Sequence, residues 1–247
     1  STEIGRVSAL VMAGGPGSRL GALTRSTPKP LLPVGDRPIL DHILERLEIA
    51  GIHSISISVH YLAEQIESFV AGRNNIASIR VLREKERMGT VGALGRMPEA
   101  SQGEVLVVNA DIMTNADFSA FERFHHWHGH DATIAVANYE MLVPYGVVRH
   151  NDDGLFLGID EKPRQTYLAA AGIYLLSPQF AALVPPDKPM DMPELLNLGR
   201  KIGLRVGVFP IHEYWADIGR PNDLENAKRD HAEAAISAGR RQGDGVE

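Results

Sequence analysis

The stretch LVMAGGPGSRLGALTRSTPKPLLPVG, residues 10–35, joins a short apolar run to a loop that contains five glycines and four prolines. The run from Val7 to Met12 is apolar and rich in β-branched residues, and it ends in glycines, which predicts a buried strand leading into a loop. In open α/β sheets, ligands bind beyond the carboxyl ends of the strands. The stretch is therefore predicted to form part of a ligand-binding site.

Helix-spaced and strand-like segments alternate along the first half of the chain. Apolar spacing predicts a helix from Pro38 to the residue before Gly51, then helices at 62–70 and 90–97. Strands are predicted between these helices, at 55–59, 79–83 and 105–108. Such alternation predicts an α/β fold with a Rossmann-like, mostly parallel sheet and helices on both faces.

The second half of the chain predicts a mixed continuation of this sheet. Its predicted elements are a helix near 118–126, strands near 132–137, 146–150, 155–160 and 172–176, a helix at 192–202, a strand at 205–209 and a helix from Pro221 to about residue 236. No linker separates two independent units, so residues 1–236 are predicted to form one domain. The polar residues 237–247 are predicted to be a disordered tail.

Composition restricts the classes of function. The formal net charge of −6 argues against a general nucleic-acid binder. The absence of cysteine excludes disulfides, thiolate catalysis and cysteine zinc sites, so only oxygen and imidazole ligands remain for a metal, which favours hard cations. No apolar run reaches the roughly 20 residues that a membrane-spanning helix needs. We therefore expect a cytoplasmic protein without a nucleic-acid or membrane partner.

The glycine-rich loop is suited to a small polyanionic ligand. Gly14, Gly15 and Gly17 are expected to adopt positive φ and to present N–H groups to phosphate oxygens. Arg19 and Lys29 would add fixed positive charge, and the prolines on either side of Lys29 are expected to hold it in a non-helical backbone.

Two common phosphate loops do not match this stretch. The dinucleotide fingerprint G-x-G-x-x-G needs glycine or alanine where Leu20 stands. The P-loop needs G-K-[ST] five residues after its first glycine, and the stretch does not contain it. A purely connecting turn would explain the glycines, but it would not explain Arg19 or the Pro-Lys-Pro sequence around Lys29.

MAGGPGSRLGALTRSTPKPLLPVG resembles the signature of the sugar-1-phosphate nucleotidyltransferases, or NDP-sugar pyrophosphorylases, which is roughly GG-x-G-x-R-L, then T, then PKP. The resemblance covers about residues 6–232 and departs from the pattern at Ala22, where many members have proline. It implies the nucleotide-diphospho-sugar transferase fold, with a nucleotide-binding half at about 1–115 and a sugar-binding half at about 116–236. It also implies two substrates, a nucleoside triphosphate and a sugar 1-phosphate.

The same resemblance assigns roles to residues of the loop. Ala13, Gly14, Gly15, Gly17 and Ser18 would contact the nucleotide. The side chains of Arg19 and Lys29 would stabilise charge on the phosphates during the reaction.

Two aspartates occupy the positions of the family's metal ligands. Asp111 follows an apolar strand in VLVVNADIM, and Asp217 precedes a proline-started helix in YWADIGRPNDLENA. Magnesium is usually held by one or two carboxylates together with substrate phosphates, so this pair would suffice for Mg²⁺. The alternative is that the two residues act as a turn residue and a helix N-cap, both common uses of aspartate.

The resemblance places the sugar phosphate near GIDEKP, residues 158–163. Glu161 would accept hydrogen bonds from sugar hydroxyls and Lys162 would pair with the sugar's phosphate, whereas the alternative is an exposed charged turn. Gly146 and Gly172 would let the backbone approach the sugar ring. Members often have asparagine where this chain has Ala170, which leaves the identity of the sugar open.

The base pocket would include REKERMGTVGAL, residues 83–94, with Gly89 and Thr90 in contact with the nucleotide. Glu84 stands where thymidylyl and uridylyl enzymes commonly have glutamine. A carboxylate only accepts hydrogen bonds, and guanine offers two donors on one edge where uracil offers one, so GTP is favoured over UTP, dTTP or CTP. The alternative is that Glu84 points to solvent, as its charged neighbours do.

Three classes of function are compared. The first transfers a nucleoside monophosphate to a sugar 1-phosphate and is closest to bacterial mannose-1-phosphate or glucosamine-1-phosphate guanylyltransferase-like proteins. A metal-dependent glycosyltransferase is disfavoured because Asp111 is followed by Ile112 and Met113, where D-x-D is typical. A non-catalytic nucleotide- or sugar-binding subunit would be expected to lose the arginine, lysine or aspartate positions. The resemblance also allows a homo-oligomer, and CBS domains in a longer parent chain.

Overall fold

One central sheet organises the chain. The computed structural model describes residues 7–243, and side chains as far as residue 237. Its strands, in chain order, are β1 (Ser8–Met12), β2 (Pro33–Val34), β3 (Arg37–Pro38), β4 (Ser54–Val59), β5 (Ser78–Arg83), β6 (Val105–Asn109), β7 (Ile112–Thr114), β8 (Ala132–Leu142), β9 (Gly146–His150), β10 (Phe156–Glu161), β11 (Arg164–Leu176), β12 (Val206–Pro210) and β13 (Trp215–Asp217).

Helices pack around these strands. In chain order they are α1 (Ile39–Ile49), α2 (Ala63–Gly72), α3 (Phe118–His128), α4 (Pro178–Ala181), α5 (Met192–Lys201) and α6 (Pro221–Gly243). Turns of 3-10 helix lie at Ser18–Thr24, Lys29–Leu31, Gly92–Arg96 and Pro98–Ser101.

The central sheet has seven strands in the order β12-β8-β11-β6-β1-β4-β5. Each neighbouring pair is parallel except the two pairs that include β11, which is antiparallel to both β6 and β8. The prediction of a mostly parallel, mixed α/β sheet is confirmed. Pairs of short strands lie outside this sheet: β2 with β3, β7 with β13, and β9 with β10.

Both faces of the sheet are covered because its central strands are apolar on both sides. Ala9 and Val11 of β1 belong to a core that includes buried residues of α1, α2, α3 and α6. Leu10, between them, belongs to a second core with Phe180 of α4 and Leu195 of α5. The alternation of a strand therefore sends successive β1 residues into different cores.

The helix predicted at 90–97 is wrong. A short 3-10 turn, Gly92–Arg96, lies in this range, and a second turn, Pro98–Ser101, follows it. The segment lies close against the backbone around Pro185. A Cβ added at Gly95 would lie 2.8 Å from the Pro185 carbonyl oxygen, so the contact requires glycine. Glycine has low helix propensity, and the second turn begins at Pro98.

Two strands are longer than predicted. Both β8 and β11 continue past the carboxyl end of β6, and their pairing there forms an antiparallel ribbon of residues 137–142 and 164–169. The register of β11 shifts between Ala170 and Tyr174, and Gly172 inside this bulge has a φ of +74°. The pair β9 and β10 is inserted at the far end of the ribbon.

The last helix also exceeds its predicted length. Residues 237–243, predicted as part of a disordered tail, belong to α6, and residues 244–247 of that tail lie outside the described part. The run HAEAAISAGRRQ contains mainly strong helix formers, which allows the helix to continue along a polar surface. Among the described residues, no helix is long and apolar enough to cross a membrane.

Candidate active site

The glycine-rich loop leaves the carboxyl end of β1, between β4 and β6. Two backbone hydrogen bonds continue the sheet into the loop: Ala13 N–H donates to the Ser58 carbonyl at 2.8 Å, and Ala110 N–H donates to the Met12 carbonyl at 3.0 Å. The ends of three parallel strands thus hold the first loop residues in place. This is the edge at which ligands bind in open α/β sheets.

The loop then folds around Gly17. This glycine has a φ of +62°, and a Cβ there would lie 3.0 Å from Cγ2 of Thr24 and 3.2 Å from Cβ of Lys29. The Thr24 hydroxyl donates to the Gly17 carbonyl at 2.9 Å. Gly14 and Gly15 do not have positive φ, so that part of the expectation is wrong. A Cβ at Gly15 would meet no atom within 4 Å, so the loop is open to a ligand there.

Lys29 makes the buried ion pair of the site. Its Nζ lies 2.7 Å from Asp111 Oδ2, and the lysine side chain is only 10% exposed. The backbone of Lys29–Leu31 forms a 3-10 turn, because Leu31 N–H donates to the Pro28 carbonyl at 2.8 Å, so the expected non-helical backbone at Lys29 is wrong. The neighbouring side chains of Ser18 and Arg19 are exposed at the mouth of the loop.

A short strand pair brings the two aspartates together across 106 residues of sequence (217 minus 111). Asp217 in β13 is paired with Ile112 in β7, and Ile218 N–H donates to the Asp111 carbonyl at 2.9 Å. Partial burial of its carboxyl group, followed by the negative charge of Asp111, raises the pKa of Asp217. The positive charges of Lys29 and Arg19 act in the opposite direction.

These carboxylates fit a divalent cation. Oδ1 of Asp111 is buried and has no hydrogen-bond partner among the described residues, so one oxygen of this charged group is unsatisfied. A cation bound between Asp111 and Asp217 would satisfy that oxygen and relieve the repulsion between the two charges. In the described part of the chain, no group of three or more His, Asp or Glu residues is arranged to hold a metal, so further ligands would come from phosphates and water.

A cleft of about 230 Å³ lies beside these groups. Predicted site residues that line it are Gly14, Gly15, Glu84, Gly89, Thr90 and Asp111. Arg87, which lies in the predicted base-pocket segment 83–94, also lines it, as do Asn109 and Asp191, which were not predicted from the sequence. A larger hollow of about 710 Å³ opens beside Val7 and Ser8, at the amino ends of the strands, and none of the predicted site residues lines it. We place the functional site at the smaller cleft for that reason.

Asp191 fixes one wall of the cleft. Its Oδ1 accepts a hydrogen bond from Thr90 N–H at 2.9 Å, and the Thr90 hydroxyl accepts one from Met192 N–H at 2.7 Å. Gly89, with a φ of +74°, lies so close to Met190 that a Cβ would stand 2.4 Å from its carbonyl oxygen. The segment 88–91 is therefore tied to a segment 100 residues later, a contact with no signal in the sequence.

Glu84 turns inwards, unlike its neighbours. Lys85, Glu86 and Arg87 are exposed, whereas Glu84 is half-buried and lines the cleft. Its Oε1 accepts a hydrogen bond from the Ser58 hydroxyl, and its Oε2 accepts one from Met88 N–H at 3.2 Å. The alternative interpretation, in which Glu84 points to solvent, is therefore wrong.

Three of the residues predicted to bind the sugar phosphate, Gly146, Glu161 and Lys162, lie in or next to the pair β9 and β10, and Gly172 lies in the bulge of β11. A Cβ at Gly146 would stand 3.1 Å from Glu161 Oε2, and Lys162, with a φ of +45°, follows at the junction of β9 and β10 with the ribbon. Among the described residues, no hydrogen bond or ion pair joins these groups to the aspartates. Gly172 does reach the cleft: a Cβ there would stand 2.8 Å from Nδ2 of Asn109.

The chain belongs to the nucleotidyl transferase family, whose model matches residues 8–234. It is 32% identical over 232 residues to the mannose-1-phosphate guanylyltransferase catalytic subunit beta of Drosophila pseudoobscura pseudoobscura. The aligned region covers 91% of this chain and 62% of that protein. It is 30% identical to the mannose-1-phosphate guanyltransferase of Schizosaccharomyces pombe, with 88% of this chain and 62% of that protein covered. The chain thus spans about three fifths of the length of these relatives.

Solved structures share the fold. The crystal structure of HddC from Yersinia pseudotuberculosis complexed with GMP-PN matches with a TM-score of 0.71 and 27% identity, over 91% of this chain and 99% of that one. A putative glucose-1-phosphate thymidylyltransferase from Bacillus anthracis matches with a TM-score of 0.71 and 22% identity, over 90% of this chain and 94% of that one. The second likeness concerns the fold alone. Together they confirm the nucleotide-diphospho-sugar transferase fold.

Because the pKa of Asp217 is raised, replacing its carboxylate with a neutral side chain is predicted to stabilise the folded protein. An ionised carboxylate whose pKa is raised by folding destabilises the folded state above that pKa, and this penalty decreases as the pH falls. We expect Asp217→Asn to raise the unfolding temperature of the metal-free protein at pH 7 by about 1 °C or less, because the Asp217 side chain is exposed and solvent screens its charge. Mg²⁺ with nucleotide should then stabilise the wild type more than the variant.

Thermal unfolding, with and without Mg²⁺ and nucleotide, measures both effects. Asp152→Asn, at an exposed position away from the cleft, is the control for loss of one negative charge. Equal stabilisation of wild type and Asp217→Asn by Mg²⁺ with nucleotide would contradict a metal-binding role for Asp217.

Gly89→Ala is predicted to weaken nucleotide binding about tenfold, because the added methyl group must displace the segment 88–91 from Met190. Gly51→Ala is a matched control, since Gly51 has a similar φ of +83° but open space around the added carbon. Nucleotide titration by calorimetry measures the two affinities. The explanation fails if both variants bind nucleotide as the wild type does.

Proposed function

We propose that the protein transfers a nucleoside monophosphate from GTP to a sugar 1-phosphate and releases pyrophosphate. The observation that carries this proposal is the meeting of Lys29 and Asp217 at Asp111, which lines the cleft together with Gly14 and Gly15 of the glycine-rich loop. Such a set combines one buried ammonium group with a carboxylate pair that fits a divalent cation. It is suited to a substrate that carries several negative charges next to a metal.

The reaction is a single displacement. An ionised oxygen of the sugar 1-phosphate attacks the α-phosphorus, a new P–O bond forms, the bond from the α-phosphorus to the bridging oxygen of the β-phosphate breaks, and pyrophosphate leaves with that electron pair. Neither a proton transfer nor a protein nucleophile is required. The tasks of the protein are positioning and charge stabilisation.

We assign these tasks to residues of the cleft. The N–H groups around Gly14 and Gly15 bind the triphosphate, while Lys29 and Arg19 offset charge that builds up on its oxygens. Asp111 and Asp217 would hold Mg²⁺, which supplies Lewis-acid polarisation of the phosphate oxygens when bound. Lys29 already lies at Asp111, so the ammonium group is in place before the substrate arrives.

The preference for GTP rests on Glu84. An ionised carboxylate accepts both N–H groups of the guanine edge, whereas uracil or thymine offers one. The named guanylyltransferase relatives and the HddC complex with GMP-PN support the same base.

The sugar phosphate is assigned to the ribbon side. Lys162 would align the attacking phosphate, Glu161 would accept hydrogen bonds from sugar hydroxyls, and Gly146 and Gly172 would leave room for the ring. The contact of Gly172 with Asn109 supports this assignment, because it joins the base of the ribbon to the cleft. Mannose 1-phosphate is the first substrate to test, given the names of the relatives. Homo-oligomer formation, cytoplasmic location and attachment to CBS domains stay predictions of the sequence.

A grid of five nucleoside triphosphates against common sugar 1-phosphates, read by Mg²⁺-dependent pyrophosphate release, tests the proposal. We expect turnover with GTP and at least one hexose 1-phosphate. A folded protein that releases no pyrophosphate with any pair would overturn the reaction class. Strict use of UTP or dTTP would overturn the Glu84 assignment and leave the reaction class intact.

Lys29→Ala is predicted to lower kcat by about 100-fold, since a preorganised cation at the phosphates is removed. Lys85→Ala, at an exposed lysine next to Glu84, is the control for loss of one positive charge near the cleft. Steady-state kinetics measures kcat for both variants, and circular dichroism shows that each variant is folded. Retention of wild-type kcat in Lys29→Ala would remove Lys29 from the mechanism.

A further inference from the structure

Ser58 occupies an unusual place for a polar side chain. It lies on β4, between β1 and β5, and its relative exposure is 0%. Burying a hydroxyl group costs free energy unless the group is hydrogen-bonded. The partner here is the carboxylate of Glu84: the Ser58 hydroxyl donates to Oε1.

Glu84 is held separately through its backbone and its side chain. Its N–H donates to the Val59 carbonyl at 2.8 Å, and a ring nitrogen of His60 lies 3.0 Å from its carbonyl oxygen. The side chain is then fixed by two donors, the Ser58 hydroxyl on Oε1 and Met88 N–H on Oε2. Loss of the Ser58 hydroxyl would free one carboxylate oxygen without releasing the backbone of Glu84.

The two donors leave half of the carboxylate's capacity unused. An ionised carboxylate has about four acceptor positions, two on each oxygen. One position on each oxygen is taken, so one on each remains. Two acceptors on adjacent oxygens match the N1–H and 2-amino donors of guanine.

Ser58 also contacts the glycine-rich loop. Its carbonyl accepts the Ala13 N–H at 2.8 Å, and a Cβ at the next residue, Gly14, would lie 3.5 Å from Glu84 Oε2. One residue of β4 thus fixes the position of the carboxylate relative to the loop. A nucleotide held at its phosphates would meet that carboxylate at a set distance.

We propose that Ser58 is a positioning residue for base selection: its buried hydroxyl orients Glu84 as a paired acceptor for the guanine edge. This inference rests on the proposed function, since it concerns the base of the nucleotide in the same cleft. It adds a residue that touches no substrate and acts through Glu84. Its effect should therefore fall on discrimination between bases and leave the chemical step almost unchanged.

GTP and ITP are the probes, because inosine keeps N1–H and lacks the 2-amino group. In Ser58→Ala we expect the ratio of kcat/KM for GTP over ITP to fall about tenfold, through KM for GTP, with kcat within about twofold of wild type. Ser58→Thr, which keeps a hydroxyl, should restore part of the ratio. Ser56→Ala is the matched control, since Ser56 is a buried serine on the same face of the same strand.

Affinities for GDP and IDP, measured by calorimetry on the same variants, test the inference independently of catalytic turnover. A GDP over IDP ratio that falls in Ser58→Ala and stays unchanged in Ser56→Ala supports the inference. Equal ratios in wild type and Ser58→Ala overturn it, and the reaction class stands if the wild type still releases pyrophosphate. A wild type that binds the two nucleotides selectively but shows no turnover with any sugar phosphate overturns the proposed function and not the role of Ser58.

Discussion

The site depends on the ion pair between the buried ammonium group of Lys29 and the partly exposed carboxylate of Asp111. The pair joins the loop after β1 to the turn between β6 and β7, and β13 is paired with β7. Removal of Asp111 would leave the buried ammonium group without its partner, which is destabilising. The charges around the pair are not balanced, because Asp217 adds a second negative charge. In addition, Oδ1 of Asp111 has no hydrogen-bond partner in the described part of the chain. A divalent cation with phosphate ligands would balance these charges and satisfy Oδ1 of Asp111.

Much of this organisation was predictable from the sequence, because it follows from strong local signals. The apolar run of β1 and the glycines after it place the loop at the carboxyl edge of the sheet, and the βαβ alternation predicts the parallel neighbours. The two aspartates could be proposed as metal ligands only through the resemblance. Their meeting depends on the pairing of β7 and β13, each three residues long, and strands that short have no periodicity to detect.

The missed features are long-range contacts. Asp191 lies in the cleft because segment 88–91 packs against the start of α5, a contact that Gly89 permits. The close approach of Gly95 to Pro185 likewise replaces the predicted helix at 90–97. The inward-pointing Glu84 accepts hydrogen bonds from the Ser58 hydroxyl and from Met88 N–H, and the alternating SISISV pattern gives no indication that Ser58 has such a partner. The ribbon of β8 and β11 extends beyond β6, where most of its side chains are exposed, so its sequence lacks the apolar signal of a buried strand. In each case long-range contacts determine the structure, and the local conformational preferences of the residues do not.

Asp111 and its surroundings are proposed to hold a divalent cation together with the triphosphate. This can be measured by titrating Mn²⁺ in the presence of a non-hydrolysable GTP analogue and following it by electron paramagnetic resonance. We expect tight Mn²⁺ binding that requires the nucleotide and is lost in Asp111→Asn but retained in Asp153→Asn, an exposed control. Equal Mn²⁺ binding by wild type and Asp111→Asn would contradict it.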